Sequence, residues 1–323
     1  MKKTILLTLC LLLAFNLVGL AKEKTQDSLN SMQWVEKARE QKNINDSLNC
    51  INIAIKLDPK NEQAYSDRGY LKAVLGAYDE SLKDLFTVIK LNPKNHTGYH
   101  DIGTVYMYQE EYDKALEYLN KAIEINPLYV DSYINMADVY IYKTNRFEDA
   151  FNTLDKAIDA GIQSPLIHRN KARFFSALSQ NDLAIIEYST AITLDNSDAQ
   201  LYLERGYTYR AVQDYEKAIA DFTAGIKTAK EKAPFYIARG ISYRDLGKFD
   251  EALKDYDEAI NTKGIDEYWT QGYFYKGELY LILDDKQKAL YNFQTFLQIV
   301  TPDQKGSMNI VPLAEDFIAK LKQ

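Results

Sequence analysis

The sequence is short of the residue types that usually signal covalent cross-links or metal chemistry. Its 323 residues include 2 cysteines, 3 histidines and 7 prolines. Two cysteines cannot build a disulfide framework, so packing alone has to hold the fold together. The scarcity of proline, together with only 14 glycines, excludes a disordered or loop-rich chain.

Positive charge is also in short supply. The chain has 39 lysines and arginines against 46 acidic residues, a net charge of −7. Nucleic-acid binding needs a basic face, so nucleic acid is excluded as the main partner. Hydrophobic residues at 46% and charged residues at 26% are ordinary for a folded protein, and the one outlier is tyrosine, with 25 copies.

One long apolar run exists, and it lies at the start of the chain. The letters MKK precede TILLTLCLLLAFNLVGLA, after which KEKTQDS turns polar. We predict a signal peptide over residues 1–21 and export to the periplasm or outer envelope of a bacterium. The alternative is an uncleaved membrane anchor, since the run is near the ~18-residue lower limit for spanning. Lipidation of Cys10 fits less well, because Leu9 stands where a small residue is expected.

The rest of the chain repeats itself. An apolar pair recurs near the end of each helical segment at steps of 34 or 35 residues, with a last step of 37. The pairs are Val88-Ile89, Ala122-Ile123, Ala157-Ile158, Ala191-Ile192, Gly225-Ile226, Ala259-Ile260 and Phe296-Leu297. Such a period is the signature of stacked repeats. We number positions within each repeat from Glu62, which is position 1 of the first.

Several positions recur together along the seven repeats. Position 4 is tyrosine or histidine: Tyr65, Tyr99, Tyr133, His168, Tyr202, Tyr236 and Tyr273. Position 8 is small: Gly69, Gly103, Ala137, Ala172, Gly206, Gly240 and Gly277. Position 20 is alanine in every repeat but the first, which has Ser81.

These residues resemble the tetratricopeptide repeat, which combines an aromatic, a Leu-Gly pair, Tyr, Ala, Phe and Pro in the same period. Repeat two is close to that pattern, with YHDIGTVY followed by Ala115, Leu119, Ala122 and Pro127. The resemblance covers residues 28–303 and implies an all-α fold, a right-handed α-solenoid of stacked helix-turn-helix repeats. We expect a degenerate repeat over 28–61, seven repeats over 62–303 and a C-terminal capping helix over 309–323.

The spacing supports two helices per repeat. Helix A carries positions 4, 8 and 11 on one face, and helix B carries positions 20, 24, 27 and 28. Small residues at positions 8 and 20 let the helices approach, and neighbouring repeats must stack to bury both faces. We place the extra residues near Lys143–Arg146 and Gly264–Trp269 in turns between helices. Leu313, Phe317 and Leu321, four apart, predict the buried face of the capping helix.

Charges at positions 7 and 23 vary together. Where position 7 is arginine, position 23 is aspartate, and we predict three partly buried ion pairs: Arg68–Asp84, Arg205–Asp221 and Arg239–Asp255. Lys171 with Glu187 and Lys276 with Asn292 follow the same rule. Where position 7 is apolar, position 23 is uncharged, as in Ile102 with Tyr118 and Met136 with Thr153. Positions 7 and 23 should therefore touch.

No catalytic motif is present, so we predict that the protein is not an enzyme and binds no cofactor. His96 and His100 are four apart, as in some zinc pairs, but no third ligand is evident and we predict no metal site. His168 takes the tyrosine position and should pack. Cys50 and Trp34 should pack in the core of the degenerate repeat.

The family resemblance implies that helix A positions 2, 5, 9, 12 and 13 line a concave groove. Position for position, the basic groove residues are Arg169, Arg173, Arg210 and Arg244, and the apolar ones are Leu203, Tyr207, Ile237 and Ile241. Arginines suit the capture of carboxylates, so an extended acidic peptide or a free carboxyl end would fit. The alternative is four solvated arginines. The family's lysine and asparagine set for gripping chaperone tails is missing, since Ser66, Tyr70, His100 and Thr104 stand at positions 5 and 9 of repeats one and two.

Two functions follow as hypotheses. The first is an exported, non-enzymatic scaffold that binds a protein or peptide in its groove. The second is a structural subunit of an envelope assembly that uses its convex faces or its ends, without a groove ligand. A membrane contact is expected only through an uncleaved N-terminal segment, and the oligomeric state stays open.

Overall fold

The computed structural model describes residues 29–264, 267–300 and 309–322. The predicted signal peptide and Cys10 lie outside these residues. Helices and connecting turns make up the described residues, and no strand occurs among them. The all-α fold predicted from the sequence is therefore confirmed. The chain divides into two compact units, residues 1–162 and 163–323.

The first unit packs its described helices in consecutive pairs, an A helix followed by a B helix. They are α1 (Ser31–Arg39), α2 (Ile44–Leu57), α3 (Glu62–Val74), α4 (Tyr78–Leu91), α5 (His96–Tyr108), α6 (Tyr112–Ile125), α7 (Val130–Asp138) and α8 (Phe147–Asp159). Helices α1 and α2 form the degenerate repeat, and Trp34 and Cys50 lie in its buried core as predicted.

The second unit continues the same arrangement and ends in a single helix. Its helices are α9 (Pro165–Ala177), α10 (Asn181–Leu194), α11 (Ala199–Ala211), α12 (Tyr215–Thr228), α13 (Ala233–Asp245), α14 (Phe249–Asn261), α15 (Gln271–Ile282), α16 (Lys286–Ile299) and α17 (Ile310–Leu321). A short 3₁₀ helix, Glu267–Thr270, leads into α15.

The glycine at position 8 marks the closest approach of helix A to helix B. A β-carbon built on Gly206 would lie 2.5 Å from the ring of Phe222, and one on Gly240 would lie 2.6 Å from the ring of Tyr256. Both rings are fully buried. The helix-propensity cost of glycine, roughly 1 kcal/mol, is thus offset by ring packing against the bare backbone.

Each turn from helix A to helix B in repeats one to seven contains a residue in the left-handed conformation, directly after the C-cap. Two of these residues are Gly76 and Gly247, and five are not glycine: Glu110, Asn145, Ser179, Gln213 and Asp284. The next amide closes the turn, as when Asp214 N donates to Tyr209 O at 2.9 Å. This is the usual left-handed ending of a helix.

The extra residue of repeat three is accommodated differently from our expectation. The A helix of this repeat ends in a π-helical turn, Val139–Lys143, where Thr144 N donates to Val139 O at 3.1 Å. A π turn absorbs one residue within a helix, so the insertion lies at the end of the helix and only partly in the turn. The insertion of repeat seven does fall between helices, since Glu267–Thr270 precedes α15.

Helix α17 packs on the end of the second unit, against α16. Val311 and Ala314 are buried, and Phe317 stacks on Phe293 with ring centroids 5.1 Å apart. Leu313, predicted to face inward, is 47% exposed. The buried face follows a spacing of three and four residues from Val311, because a 3.6-residue turn rotates a strict spacing of four away from the contact.

All three predicted ion pairs form, each with two parallel hydrogen bonds. In the pair of Arg205 and Asp221, Nε and Nη2 donate to the two carboxylate oxygens at 2.8 and 2.7 Å. The pairs Arg68–Asp84 and Arg239–Asp255 have the same geometry. The aspartate side chains are only 4 to 7% exposed. Such bidentate pairs fix the two helices of one repeat in register.

Each of these arginines also contacts the preceding repeat, which the sequence analysis missed. The remaining nitrogen, Nη1, donates to position 25 of the previous B helix, as in Arg205 to Ser189 Oγ at 2.9 Å. The equivalent contacts are Arg68 to Asn52 and Arg239 to Thr223. One guanidinium therefore joins three helices and stabilises the stacking as well as the hairpin.

The two lysines at position 7 behave differently from each other. Lys171 pairs with Glu187 at 2.9 Å, as the rule predicts. His168, expected only to pack, also binds that carboxylate through Nδ1 at 2.6 Å. Lys276 does not bond Asn292: its Nζ lies 2.6 Å from Asp257, at position 25 of the previous repeat. This part of the prediction was wrong, because a lysine has a single nitrogen and here it pairs with the carboxylate.

Candidate functional site

The residues predicted to line a groove all lie in the second unit. Among them Arg169 is engaged by its neighbour. Its Nε and Nη2 donate to the carboxylate of Glu204 on α11 at 3.0 and 2.6 Å, and this bond raises the pKa of Arg169. The pair is largely shielded, with side-chain exposures of 22% and 16%. Arg169 is thus part of the stacking contact between adjacent A helices.

Arg210 and Arg244 converge on the same acid. Arg210 Nη2 donates to Asp245 Oδ2 at 3.0 Å, while Arg244 bonds the other oxygen, Oδ1, through Nε and Nη2. Arg244 also reaches Glu278 on α15 at 3.3 Å. Burial raises the pKa of Glu278, against the pull of Arg244. Two cations and two carboxylates therefore neutralise one another across three successive A helices.

Arg173 is the exception in this predicted arginine wall. It is exposed on α9, and within the described part of the chain no hydrogen bond or ion pair engages its guanidinium. One arginine of the four is therefore available to a carboxylate ligand, and the expectation of a shared wall of free arginines is corrected for the other three.

Three of the four predicted apolar groove residues are buried. Leu203 is 8% exposed, Ile237 4% and Ile241 9%, and all three pack in the cores between neighbouring helices. Only Tyr207, 45% exposed, presents an open face, with its ring edge-to-face against Phe222 at 5.5 Å. The stacked A helices close over positions 5 and 9 here, so these aliphatic side chains stabilise the fold and are not accessible to a ligand.

The first unit has the more open site, which the sequence analysis did not single out. A cavity of about 470 Å³ lies between α1, α2 and α3, and a second of about 330 Å³ lies between α3, α4 and α5. Both cavities are lined by Tyr70 and Asp101. The two adjoin through these residues and form one depression, which we call the Asp101 groove.

The smaller cavity of the Asp101 groove has mainly aromatic and apolar walls, whereas polar and charged side chains also line the larger one. Tyr70 and Tyr108 are each 62% exposed, and Val74 is 56% exposed. Tyr108 stacks in parallel on Tyr78, with ring centroids 6.0 Å apart and 8° between the planes. Exposed aromatic and aliphatic side chains of this kind, gathered beside a cavity, typify binding surfaces for partner proteins.

Asp101 is the charged residue among those that line the second cavity. Its side chain is half-buried, and no described residue donates a hydrogen bond to its carboxylate. Burial raises the pKa of Asp101 to about 6, and the nearby negative charge of Asp67 adds to the shift. Asp67 itself is occupied, because Arg39 binds both of its oxygens at 2.9 and 3.1 Å.

The histidines beside this groove are engaged within the protein. His100 Nδ1 lies 3.0 Å from Ser132 Oγ, and burial lowers the pKa of His100. His96 Nε2 lies 3.1 Å from Asn126 Nδ2. Both rings contact Tyr129 edge-to-face. Over the described residues, no three histidine, cysteine or acidic side chains are grouped to hold a metal ion.

Sequence signals for the Asp101 groove were present but weak. Tyr70 stands at position 9, where the other six repeats have six different residue types, and Asp67 and Asp101 both stand at position 6. Nothing in a sequence tells which of two equivalent aspartates has a partner.

The described residues include no helix long and apolar enough to span a membrane.

Family models described as the tetratricopeptide repeat match three segments, residues 97–129, 199–232 and 233–262. None of the curated proteins matches the chain. Among solved structures, a tetratricopeptide repeat protein from Parabacteroides merdae has a TM-score of 0.50 at 15% identity, covering 91% of this chain and 99% of that one.

Two further structures are similar. The C-terminal part of a repeat-containing protein from Cytophaga hutchinsonii has a TM-score of 0.51 at 16% identity, covering 89% of this chain and 98% of that one. PilF from Pseudomonas aeruginosa has a TM-score of 0.52 at 15% identity, covering 70% and 97%. At these identities the likeness establishes the stacked-repeat fold.

Proposed function

Because the chain is a tetratricopeptide-repeat protein, we propose that it is a non-enzymatic scaffold that binds an extended segment of a partner protein. The fold is generally one of protein interaction. The Asp101 groove of the first unit is the binding surface in this proposal. The observation that carries it is the pair of adjoining cavities, which share Tyr70, with the exposed side chains of Tyr108 and Val74 in the wall of the smaller one.

The physical case rests on preformed, exposed apolar surface. Tyr70 and Tyr108 are held on rigid helices, so little side-chain order has to be gained when a ligand binds. Large aromatic side chains on such a surface contribute disproportionately to affinity. The groove is open on the outside, which suits a peptide segment better than a small enclosed ligand.

An acidic ligand, the expectation from the arginines of the second unit, has less support. Arg169, Arg210 and Arg244 already bind carboxylates of neighbouring helices. A ligand carboxylate would have to displace those contacts. Arg173 alone is open to such a ligand, and one exposed cation is weak ground for specificity.

The cellular location is part of the proposal. Residues 1–21 have the order of a signal peptide, basic then apolar then small, and this order supports export to the cell envelope. N-terminal sequencing of the protein from fractionated cells is the test. A mature terminus near residue 22 in the envelope fraction is expected, whereas an intact Met1 in the cytosol would contradict the location.

The binding test is affinity purification from the native host, with the wild type beside two variants. In Tyr70→Ala/Tyr108→Ala the groove loses its exposed rings, and since both are 62% exposed the fold should survive. Arg173→Glu is the matched control in the second unit. Partners lost only from the tyrosine variant support the groove, whereas identical partner lists for all three would overturn it.

A second function keeps some support from the surface of the second unit. Leu183 and Ile186 on α10 are 44% and 59% exposed. This helix therefore carries apolar side chains on its outer face as well as on the face that packs in the core. They would serve a structural subunit that assembles through an outer face. Leu183→Glu/Ile186→Glu should then remove partners that the tyrosine variant retains.

A further inference from the structure

We propose that the Asp101 groove recognises a cationic side chain, a lysine or arginine flanked by apolar residues, which binds between the Asp101 carboxylate and the rings of Tyr70, Tyr78 and Tyr108. This inference rests on the proposed function, since it names the chemistry of the segment that the groove would bind.

The charge of Asp101 is unmatched within the protein. Other shielded carboxylates among the described residues have partners: the buried Asp84, Asp221 and Asp255 each bind an arginine, and the half-buried Glu204 binds another. Asp101 is half-buried in a cavity wall, and no described donor reaches it. A carboxylate placed this way costs stability unless something neutralises it, and a ligand cation would do so.

Aromatic and apolar side chains surround that charge. Three tyrosines line the same cavity as Asp101, and the Tyr78–Tyr108 stack presents parallel ring faces. Aromatic faces attract ammonium and guanidinium groups, and more so when the cation is partly desolvated. Val74 and Leu85, which also line the cavity, would contact the methylene groups of a long basic side chain.

The protein's own basic side chains lie outside the lining of the smaller cavity. Arg39 and Lys42 face only the larger cavity, and Arg39 is bound to Asp67. Lys72 binds Asp84 and Glu80. The smaller cavity therefore has one carboxylate and no basic residue in its lining, so its charge is complementary to a cation from outside.

The site should also respond to pH, because the carboxylate must be ionised to bind a cation. Its pKa is raised to about 6, so binding should weaken as the pH falls through that value. The charged groups that line the groove with it are Arg39, Lys42 and Asp67. The phenol of Tyr129 also interacts with Asp101, and burial raises the pKa of Tyr129 to about 12. His100 is turned to Ser132.

The experiment is selection of random peptides displayed on phage against the full chain, with wild type, Asp101→Asn and Tyr70→Ala as targets. Asp113→Asn, an exposed aspartate on α6, is the matched control. Wild type and Asp113→Asn should both enrich peptides with lysine or arginine beside apolar residues. Asp101→Asn should lose the preference for the basic residue, and Tyr70→Ala should bind all selected peptides more weakly.

Synthetic peptides from the selection then give affinities. Replacing the basic residue by glutamine should weaken binding to the wild type about tenfold or more, and should hardly affect binding to Asp101→Asn. The same loss is expected for the wild type between about pH 7.5 and about pH 5.

The outcomes separate the two proposals. Peptides that need Tyr70 but show no basic preference would overturn the cation inference and leave the scaffold function standing. A basic preference that survives in Asp101→Asn would overturn the assignment to this carboxylate. If nothing is enriched, or if enriched peptides bind Tyr70→Ala as well as wild type, both proposals fail.

Discussion

Replacing Arg205 alone should destabilise the second unit far more than replacing it together with its partner. Arg205→Met removes two hydrogen bonds of 2.8 and 2.7 Å from Asp221 and leaves a carboxylate that is only 7% exposed. A buried charge that loses its partner costs about 3–5 kcal/mol in the free energy of unfolding. The lost contact to Ser189 adds little, because its hydroxyl still donates to Ile185 O at 2.6 Å.

The double variant Arg205→Met/Asp221→Thr has a model within the chain. Repeat three has Met136 and Thr153 at the same positions, and both are buried. The threonine hydroxyl donates a hydrogen bond to the backbone oxygen of Asp149 at 2.7 Å. Removing both charges replaces the ion pair by packed apolar surface, which is close to neutral in other proteins. The double variant should therefore recover most of the loss, to within about 1–2 kcal/mol of the wild type.

The assay is urea unfolding of the full chain followed by circular dichroism, with hydrogen exchange over residues 199–228 to localise the effect. Stacked repeats can unfold in parts, so the local measurement guards against averaging over units. The reasoning would be refuted if Arg205→Met were as harmless as the double variant. It would also be refuted if the loss appeared in exchange far from α11 and α12.

Three further outcomes test the packing, the turns and the groove. Gly206→Ala should lower the free energy of unfolding in urea by about 1–3 kcal/mol, since its β-carbon would overlap the buried Phe222 ring, and an unchanged midpoint would contradict this. Gln213 has a φ of 61°, so Gln213→Gly should stabilise the folded protein by up to about 1 kcal/mol, and Gly247→Gln should destabilise it by a similar amount. Melting temperatures equal to that of the wild type would show that the left-handed backbone at these positions is not strained. Asp101→Asn should stabilise by about 2–3 kcal/mol at neutral pH, because a pKa raised from 3.8 to about 6 means that ionisation opposes folding. That gain should shrink as the pH falls below about 6 and should vanish below about pH 3, where Asp101 is protonated in both states, and a gain independent of pH would exclude the charge as its cause.

The helices were predictable because burial imposes one spacing on every repeat. Position 8 shows this well: each of its five glycines lies against a ring or a leucine of helix B, as Gly206 does against Phe222. The ion pairs were predictable for a related reason. Both partners belong to one repeat, so seven equivalent pairs of positions could be compared within a single chain.

Contacts between repeats were harder to predict because their chemistry changes from one to the next. The partner at position 25 is Asn52, Ser189, Thr223 or Asp257. A guanidinium or ammonium group can donate a hydrogen bond to any hydroxyl, amide or carboxylate oxygen. No residue type therefore recurs. The acids that bind the second unit's arginines also come from different positions, as Glu204 and Asp245 show.

The comparison of Arg210 with Asp101 shows why composition misleads about ligands in such a fold. Arginine on a helix A face suggested an acidic partner, yet Asp245 from the next repeat already neutralises Arg210. Asp101 attracted no notice as one aspartate among 46 acidic residues, yet the smaller of the two cavities that it lines has no basic residue in its lining. In a stacked repeat the faces of successive helices meet, so charges such as that of Arg210 are neutralised by stacking contacts. The charges that can bind a ligand are those that stacking leaves unpaired, and in the smaller cavity of the Asp101 groove that charge is negative, which favours a basic segment over an acidic one.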